Sequence, residues 1–124
     1  MQGVGAGRVS IASALLPEIS SADTQQPPKA YVMAEIEVVD AATYESYTSA
    51  AAPIAAQYGG RYIIRGGEMH LAEGDAPSGS LVVLEFANLT AAQAFLNSDE
   101  YRSVAEIRHK AAKSRIMIVE GIIP

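Results

Sequence analysis

Hydrophobic and polar residues alternate with a period of two in several stretches of the chain. Residues 30–39 have one fully apolar face, made by Val32, Ala34, Ile36 and Val38. Residues 80–86 and 115–122 repeat this alternation, which is typical of half-buried β-strands. A shorter strand is predicted at residues 61–65. The stretch 80–86 is the most hydrophobic of the four, which predicts a central position in the sheet.

Helical periodicity occupies the regions between these strands. After Asp40, a predicted N-cap, tyrosines recur at helical spacing from Tyr44 to Tyr58, and Gly59-Gly60 ends the pattern. Pro53 lies inside it and predicts a kink or a break near residue 52. A second helical region divides into a short piece around residues 94–96 and a longer one from Asp99 to about Lys113.

The order of these elements is β-α-β-β-α-β, with the second strand interrupted at Gly66-Gly67 and expected to resume over residues 68–72. This order predicts an α+β protein of ferredoxin-like fold, in which a four-stranded antiparallel sheet carries both helices on one face. The other face of the sheet would then be uncovered.

That uncovered face is predicted to be apolar. It carries Tyr31, Met33, Leu81 and Val83, together with several of Ile63, Met117 and Val119. Because apolar surface of this extent is rarely left in contact with water, a second copy of the same sheet is expected to cover it. The sequence therefore predicts a homodimer with two-fold symmetry.

The chain of 124 residues has a length suited to one domain, which we place at residues 29–124. Residues 1–28 are rich in Gly, Ser, Ala and Pro and are interpreted as a weakly structured arm. Part of this arm, residues 1–22, has some features of a signal peptide. We expect a cytoplasmic protein, with export as the alternative if that segment acts as a signal.

Composition excludes several functions. A net charge of −5 argues against nucleic-acid binding, and no apolar run is long enough to span a membrane. The absence of cysteine excludes thiol catalysis and disulfides. The only histidines, His70 and His109, lack the spacing of metal ligands. The glycines of residues 3–7 do not form a dinucleotide-binding motif, because no strand precedes them. Neither a metal nor another cofactor is expected.

The remaining candidates for chemistry are charged and aromatic residues. Strand alternation places Glu35 and Glu85 on the uncovered face and puts Arg61 and Arg65 on a common face. Ion pairs such as Glu85 with Arg65 are the favoured structural interpretation. In the functional interpretation, arginines hold a small acidic or phenolic ligand, tyrosines form walls and a carboxylate or histidine moves a proton. The candidates are Arg65, Arg108, Tyr31 and Tyr44 for binding, and Glu85, His70 and Glu35 for proton transfer.

Several short motifs over residues 31–122 are similar to those of the family called domain of unknown function 1330. They are Asp40-x-x-x-Tyr44-x-x-Tyr47, Gly59-Gly60, Arg65-Gly66-Gly67, Glu73-Gly74, Val83-Leu84-Glu85-Phe86, and Ser98-x-x-Tyr101 with Arg108. The resemblance implies a dimeric α/β-barrel. Barrels of that kind include cofactor-independent monooxygenases, muconolactone isomerases and haem-using chlorite dismutases. No catalytic motif of those relatives matches residues of this chain.

Two functions from different classes therefore remain open. A cofactor-free enzyme of the oxygenase or isomerase type predicts a pocket between sheet and helices with a strongly perturbed Glu or His. A non-catalytic dimer that binds a metabolite or a protein predicts fully paired charges and no enclosed cavity.

Overall fold

The computed structural model describes residues 26–124. Within this range the elements are β1 (Ala30–Val38), α1 (Ala41–Gln57), β2 (Arg61–Arg65), β3 (Ser80–Phe86), α2 (Leu89–Asn97), α3 (Asp99–Ala111) and β4 (Ala112–Glu120). The predicted β-α-β-β-α-β order and the split second helix are confirmed. The possible signal segment and most of the predicted arm lie outside the described residues.

The four strands form one antiparallel sheet in the order β2-β3-β1-β4. This is the ferredoxin-like arrangement, with the hydrophobic strand β3 inside the sheet as predicted. The strand β2 lies at one edge, and its pairing with β3 contains a register shift between Tyr62 and Ile64. That β-bulge affects which side chains face the helices.

The core lies between the helices and one face of the sheet. Alternate residues of β1 from Ala30 to Ile36 are buried there, while small Ala51 and Ala55 are buried on α1. Phe86 of β3 stacks on Phe95 of α2 with ring centroids 5.4 Å apart. The opposite face of the sheet is covered by no helix of the described chain.

The ends of α1 are closed as the sequence predicts. The Asp40 carboxylate accepts a hydrogen bond from the backbone N–H of Thr43 at 3.2 Å. At the other end, Gly59 has a positive φ of 80°. The N–H groups of Gly59 and Gly60 donate to the carbonyl oxygens of Ala56 and Ala55, which is a Schellman motif.

Three local expectations are wrong. The break expected near residue 52 does not occur: α1 continues through Pro53 as one helix, because an exposed proline removes only one N–H from the hydrogen-bond ladder. Residues 68–72 do not resume a strand, and residues 66–79 form an exposed loop instead. The last strand begins at Ala112 rather than at Arg115, directly after α3. No helix of the described chain is both long and apolar enough to cross a membrane.

Candidate functional site

A cavity of about 160 Å³ lies between α1 and the helix-facing side of the sheet. Its walls are largely apolar and come from β1, α1, β2, β3, α2, α3 and β4. The lining residues include Val32, Ala34, Ile36, Ala51, Val82, Leu84, Phe95 and Ile116. Among the described residues that line it, Arg65 is the only charged one. The pocket between sheet and helices that the enzyme alternative predicts is therefore present, and it is partly open to solvent beside Arg65.

Four tyrosines give the cavity its polar groups. Tyr44 and Tyr47 come from α1, Tyr62 from β2 and Tyr101 from α3. The hydroxyl oxygens of Tyr47 and Tyr101 are hydrogen-bonded at 2.7 Å, and the rings of Tyr44 and Tyr47 lie 5.5 Å apart. Aromatic walls with a few hydroxyl groups suit a small aromatic ligand.

Three of these phenol groups, those of Tyr44, Tyr47 and Tyr62, remain neutral in the folded protein at neutral pH. Burial raises the pKa of Tyr44, of Tyr47 and of Tyr62 above the ordinary value of 10.0. For Tyr47, the neighbouring Tyr101 adds to this effect, and the Arg108 charge offsets only part of it. These three tyrosines can therefore donate hydrogen bonds at neutral pH and cannot serve as proton-accepting bases.

The β-bulge in β2 turns Arg65 into the cavity. Arg61 pairs with Glu85 and Arg65 with Val82, so the two arginines lie on opposite faces of the sheet. The predicted common face for these arginines, and with it the ion pair of Glu85 with Arg65, is wrong. The Arg65 guanidinium carbon instead lies 4.7 Å from the centroid of the Tyr62 ring. This is a cation–π contact at the edge of the cavity.

Arg108 is buried beside the same cavity, near the end of α3. Its side chain is 7% exposed and donates a hydrogen bond to the Ser114 hydroxyl. The guanidinium carbon lies over the Tyr47 ring, 5.7 Å from its centroid. The Nε atom has no hydrogen-bond partner among residues 26–124. Of the four predicted binding residues, Arg65 and Tyr44 line this cavity, and Arg108 lies behind it, against the ring of Tyr47.

The other predicted residues lie elsewhere. On the uncovered face, Glu85 accepts hydrogen bonds from Arg61 Nε at 3.0 Å and from Tyr31 OH at 3.4 Å, and Lys29 Nζ is 3.5 Å away. The Arg61 hydrogen bond, together with the Lys29 charge, lowers the pKa of Glu85. Tyr31 is therefore not a wall of the cavity.

Glu35 and His70 are also outside the cavity. Glu35 accepts a hydrogen bond from Arg115 Nη2 at 2.6 Å on the uncovered face. His70 is exposed in the loop of residues 66–79, where its Nε2 atom lies 3.7 Å from Glu68 Oε1. Within residues 26–124, no cluster of three or more histidine or carboxylate side chains could hold a metal ion.

Sequence reasoning missed Tyr47, Tyr62 and Tyr101 as residues of the site. The helical spacing from Tyr44 to Tyr58 is equally typical of core packing, and Tyr47 does pack against the core. The available signal was the density of tyrosine on buried faces, because each buried hydroxyl needs a partner. That signal does not say whether the partner is protein or ligand.

The comparisons with known proteins agree with this fold. The model of the family described as "Domain of unknown function (DUF1330)" matches residues 29–122. No curated protein matches the sequence. Several solved structures match its fold, at sequence identities that support a similarity of fold alone.

Three of these structures bear on the fold or the function. A protein of unknown function from Rhodopseudomonas palustris is 14% identical, with a TM-score of 0.61 and coverage of 90% of this chain and 100% of its own. SnoaB, a cofactor-independent oxygenase from Streptomyces nogalater, is 15% identical, with a TM-score of 0.58 and coverage of 78% and 96%. A dimeric ferredoxin-like protein of unknown function from Bacteroides fragilis is 13% identical, with a TM-score of 0.54 and coverage of 77% and 98%.

Proposed function

We propose that this chain, which belongs to the DUF1330 family, binds a small acidic or phenolic organic molecule in the cavity between α1 and the sheet. The observation that carries the proposal is the charge of this cavity. Arg65 lines it and Arg108 adjoins it, while none of the described residues that line it is acidic. In a chain with a net charge of −5, a cationic pocket selects an anionic or readily ionised ligand.

Binding without catalysis is the better supported form of the proposal. Neither an acidic residue nor a histidine is among the described residues that line the cavity, and burial raises the pKa of Tyr44, Tyr47 and Tyr62. A general base within reach of a bound ligand is therefore not available from these residues. Glu85, Glu35 and His70 lie outside the cavity, and we assign them no role in it.

An oxygenase- or isomerase-like reaction is the second candidate. It draws support from the fold shared with SnoaB, which is described as a cofactor-independent oxygenase. Because one fold hosts many reactions, this support is an analogy. Consumption of dissolved oxygen in the presence of simple phenols, lost in Arg65→Ala, would favour this candidate over binding alone.

The proposal includes a homodimer formed through the uncovered face of the sheet. Ferredoxin-like proteins of this fold from Bacteroides fragilis and Thermobifida fusca are described as dimeric. On this chain, Met117 and Val119 of β4 and Ile63 and Ile64 of β2 are all more than 40% exposed on or beside that face. A second copy of the same sheet would cover these side chains.

Thermal unfolding with a panel of phenols and short carboxylic acids tests the binding proposal. A ligand at 100 times its Kd stabilises the folded state by about 2.7 kcal/mol, so it should raise the Tm. In Arg65→Ala this rise should largely disappear, while the Tm of the free protein stays nearly unchanged because Arg65 is exposed.

Arg61→Ala is the matched control for that experiment. It removes an arginine from the same strand, but on the uncovered face, where Arg61 contacts Glu85. The ligand-induced rise in Tm should persist in this variant. If no compound raised the Tm of the natural protein, or if both variants lost the effect equally, the proposed site would be wrong.

A further inference from the structure

Arg108 presents a buried positive charge without a matching negative charge. Its side chain is 7% exposed, and no carboxylate of residues 26–124 lies within ion-pair distance. The guanidinium stays protonated at all ordinary pH values. Because an uncompensated buried charge is costly, proteins keep one where something else compensates it.

The groups around the cavity do not supply that compensation. Those that face it are Tyr44, Tyr47 and Thr48 from α1, Tyr62 and Arg65 from β2, and Tyr101 from α3. Strands β1, β3 and β4 contribute only apolar side chains and the Ser80 hydroxyl. Burial raises the pKa of the phenols of Tyr44, Tyr47 and Tyr62, so none of these becomes an anion at neutral pH.

The size of the cavity and the residues that line it limit which ligands can bind there. A volume of about 160 Å³ is close to that of a protein cavity that accepts a single benzene ring. Tyrosine rings favour an aromatic occupant. The hydrogen-bonded hydroxyls of Tyr47 and Tyr101, with Arg108 over the Tyr47 ring, place donors and positive charge beside one wall.

We propose that the cavity binds single-ring phenols, or enols of similar size, as their conjugate bases, with the oxyanion balancing the charge of Arg65, which lines the cavity, and with Arg108 adding positive charge from behind the Tyr47 ring. The inference rests on the proposed binding function and adds the ionisation state of the ligand. In the binding step only the O–H bond of the ligand breaks, and its proton passes to the solvent. Neutral tyrosine hydroxyls then donate hydrogen bonds toward the oxyanion, as donors do in an oxyanion hole.

Absorbance titration of 4-nitrophenol tests this inference, since its phenol and phenolate forms have different spectra. The probe is titrated with acid and base, with and without excess protein. A positive charge within about 4–6 Å shifts an acid by 1–3 pKa units, so the acid dissociation constant of the bound probe should rise about 10- to 1,000-fold. In Arg65→Gln, which removes the charge that lines the cavity, the rise should shrink by about tenfold or more, and in Arg108→Gln it should shrink by a smaller factor.

Two controls make the titration specific. Arg102→Gln removes an exposed arginine from the same helix and should leave the bound-state titration unchanged. If Arg108→Gln fails to fold, as judged by circular dichroism, Arg65→Gln provides the charge deletion at an exposed position. The methyl ether 4-nitroanisole, which cannot ionise, should bind much more weakly than 4-nitrophenol.

The outcomes separate this inference from the proposed function. If 4-nitrophenol binds but its pKa in the bound state equals or exceeds that of the free probe, the ligand binds as a neutral molecule and the inference is overturned. The proposed binding function would stand in that case. If neither 4-nitrophenol nor 4-nitroanisole binds at any pH, while an aliphatic acid raises the Tm, the inference is overturned and an acidic ligand is retained. If nothing binds, both proposals are overturned.

Discussion

At Gly60, the absence of a side chain decides how closely the end of α1 approaches the sheet. A Cβ atom built there would lie 2.5 Å from Phe86 Cζ and 2.6 Å from Phe86 Cε1. Phe86 is almost fully buried and is held by its stacking on Phe95, so its ring has little room to move. The backbone oxygen of Ala55 would also lie within 3.2 Å.

Gly60→Ala is therefore expected to destabilise the protein by about 1–3 kcal/mol, the usual effect of forcing an extra carbon into a packed core. Urea unfolding measures this as a lower midpoint. Gly67→Ala is the matched control: nothing lies within 4 Å of its added Cβ, so its stability should stay within about 0.5 kcal/mol. Equal stability of the two variants would show that Phe86 yields to the methyl group.

Individual residues also show why only part of the site could be predicted from the sequence. Arg108 and Tyr44 are identified by helical spacing, since an arginine on an apolar stripe has few places to put its charge. The alternation of side chains along a strand predicts one common face for Arg61 and Arg65. This prediction is wrong, because a β-bulge shifts the alternation by one residue and cannot be recognised from the spacing. The shift between Tyr62 and Ile64 moves Arg65 to the cavity and leaves Arg61 with Glu85.

At the scale of elements, the N-terminus of α1 depends on an ionised side chain. The Asp40 carboxylate accepts hydrogen bonds from Thr43 Oγ1 at 2.7 Å and from Thr43 N at 3.2 Å. The Thr43 hydroxyl is the main cause that lowers the pKa of Asp40 below 3.8, followed by the Thr43 N–H. Since the folded pKa is below the unfolded one, this contribution is complete above pH 3.8 and is lost as the pH falls through the folded pKa.

Asp40→Ala should accordingly lower the free energy of unfolding at pH 7, and its difference from the natural protein should shrink as the solution is acidified below pH 3.8. Denaturant unfolding at a series of pH values provides the measurement. Asp75→Ala removes a carboxylate from the exposed loop and should show no such dependence. If the difference in the free energy of unfolding between the two proteins stayed constant below pH 3.8, the cap would not depend on the charge of Asp40.

Most helices and strands could be predicted because burial of one face makes hydrophobic residues recur at a fixed spacing along each element. Alternation in β1 and β3, the cap at Asp40 and the glycine stop at Gly59 each reflect one local rule that the fold obeys. The expected strand over residues 68–72 failed because an extended pattern needs a partner strand. Beyond Arg65, β2 has no further paired residue on β3.

On the scale of the whole molecule, the uncovered face has an apolar row across the sheet, with one ion pair on each side of it. Ile64, Val83, Met33 and Met117 are successive neighbours across all four strands. The ion pair of Arg61 with Glu85 lies on one side of this row, and that of Glu35 with Arg115 lies on the other. An apolar centre with charged margins is the usual composition of a protein interface.

This arrangement argues that the carboxylates of the face have a structural role. The Glu85 side chain retains 14% exposure and has three polar neighbours, Arg61, Lys29 and Tyr31. Pairing within the sheet lets such charges remain beside an interface without the cost of an unpaired charge. A second copy could then cover the central row while the ion pairs stay intact.

Met117→Glu tests the proposed homodimer directly. Met117 is 41% exposed at the centre of β4, so a carboxylate there should leave the monomer folded but place two charges in the interface. Light scattering should give twice 13.0 kDa for the natural protein and 13.0 kDa for the variant. Val39→Glu makes the same kind of change at an exposed residue beyond β1 and should remain dimeric. A natural protein that stays at 13.0 kDa over micromolar concentrations would refute the dimer, because its apolar row would then be stable in water.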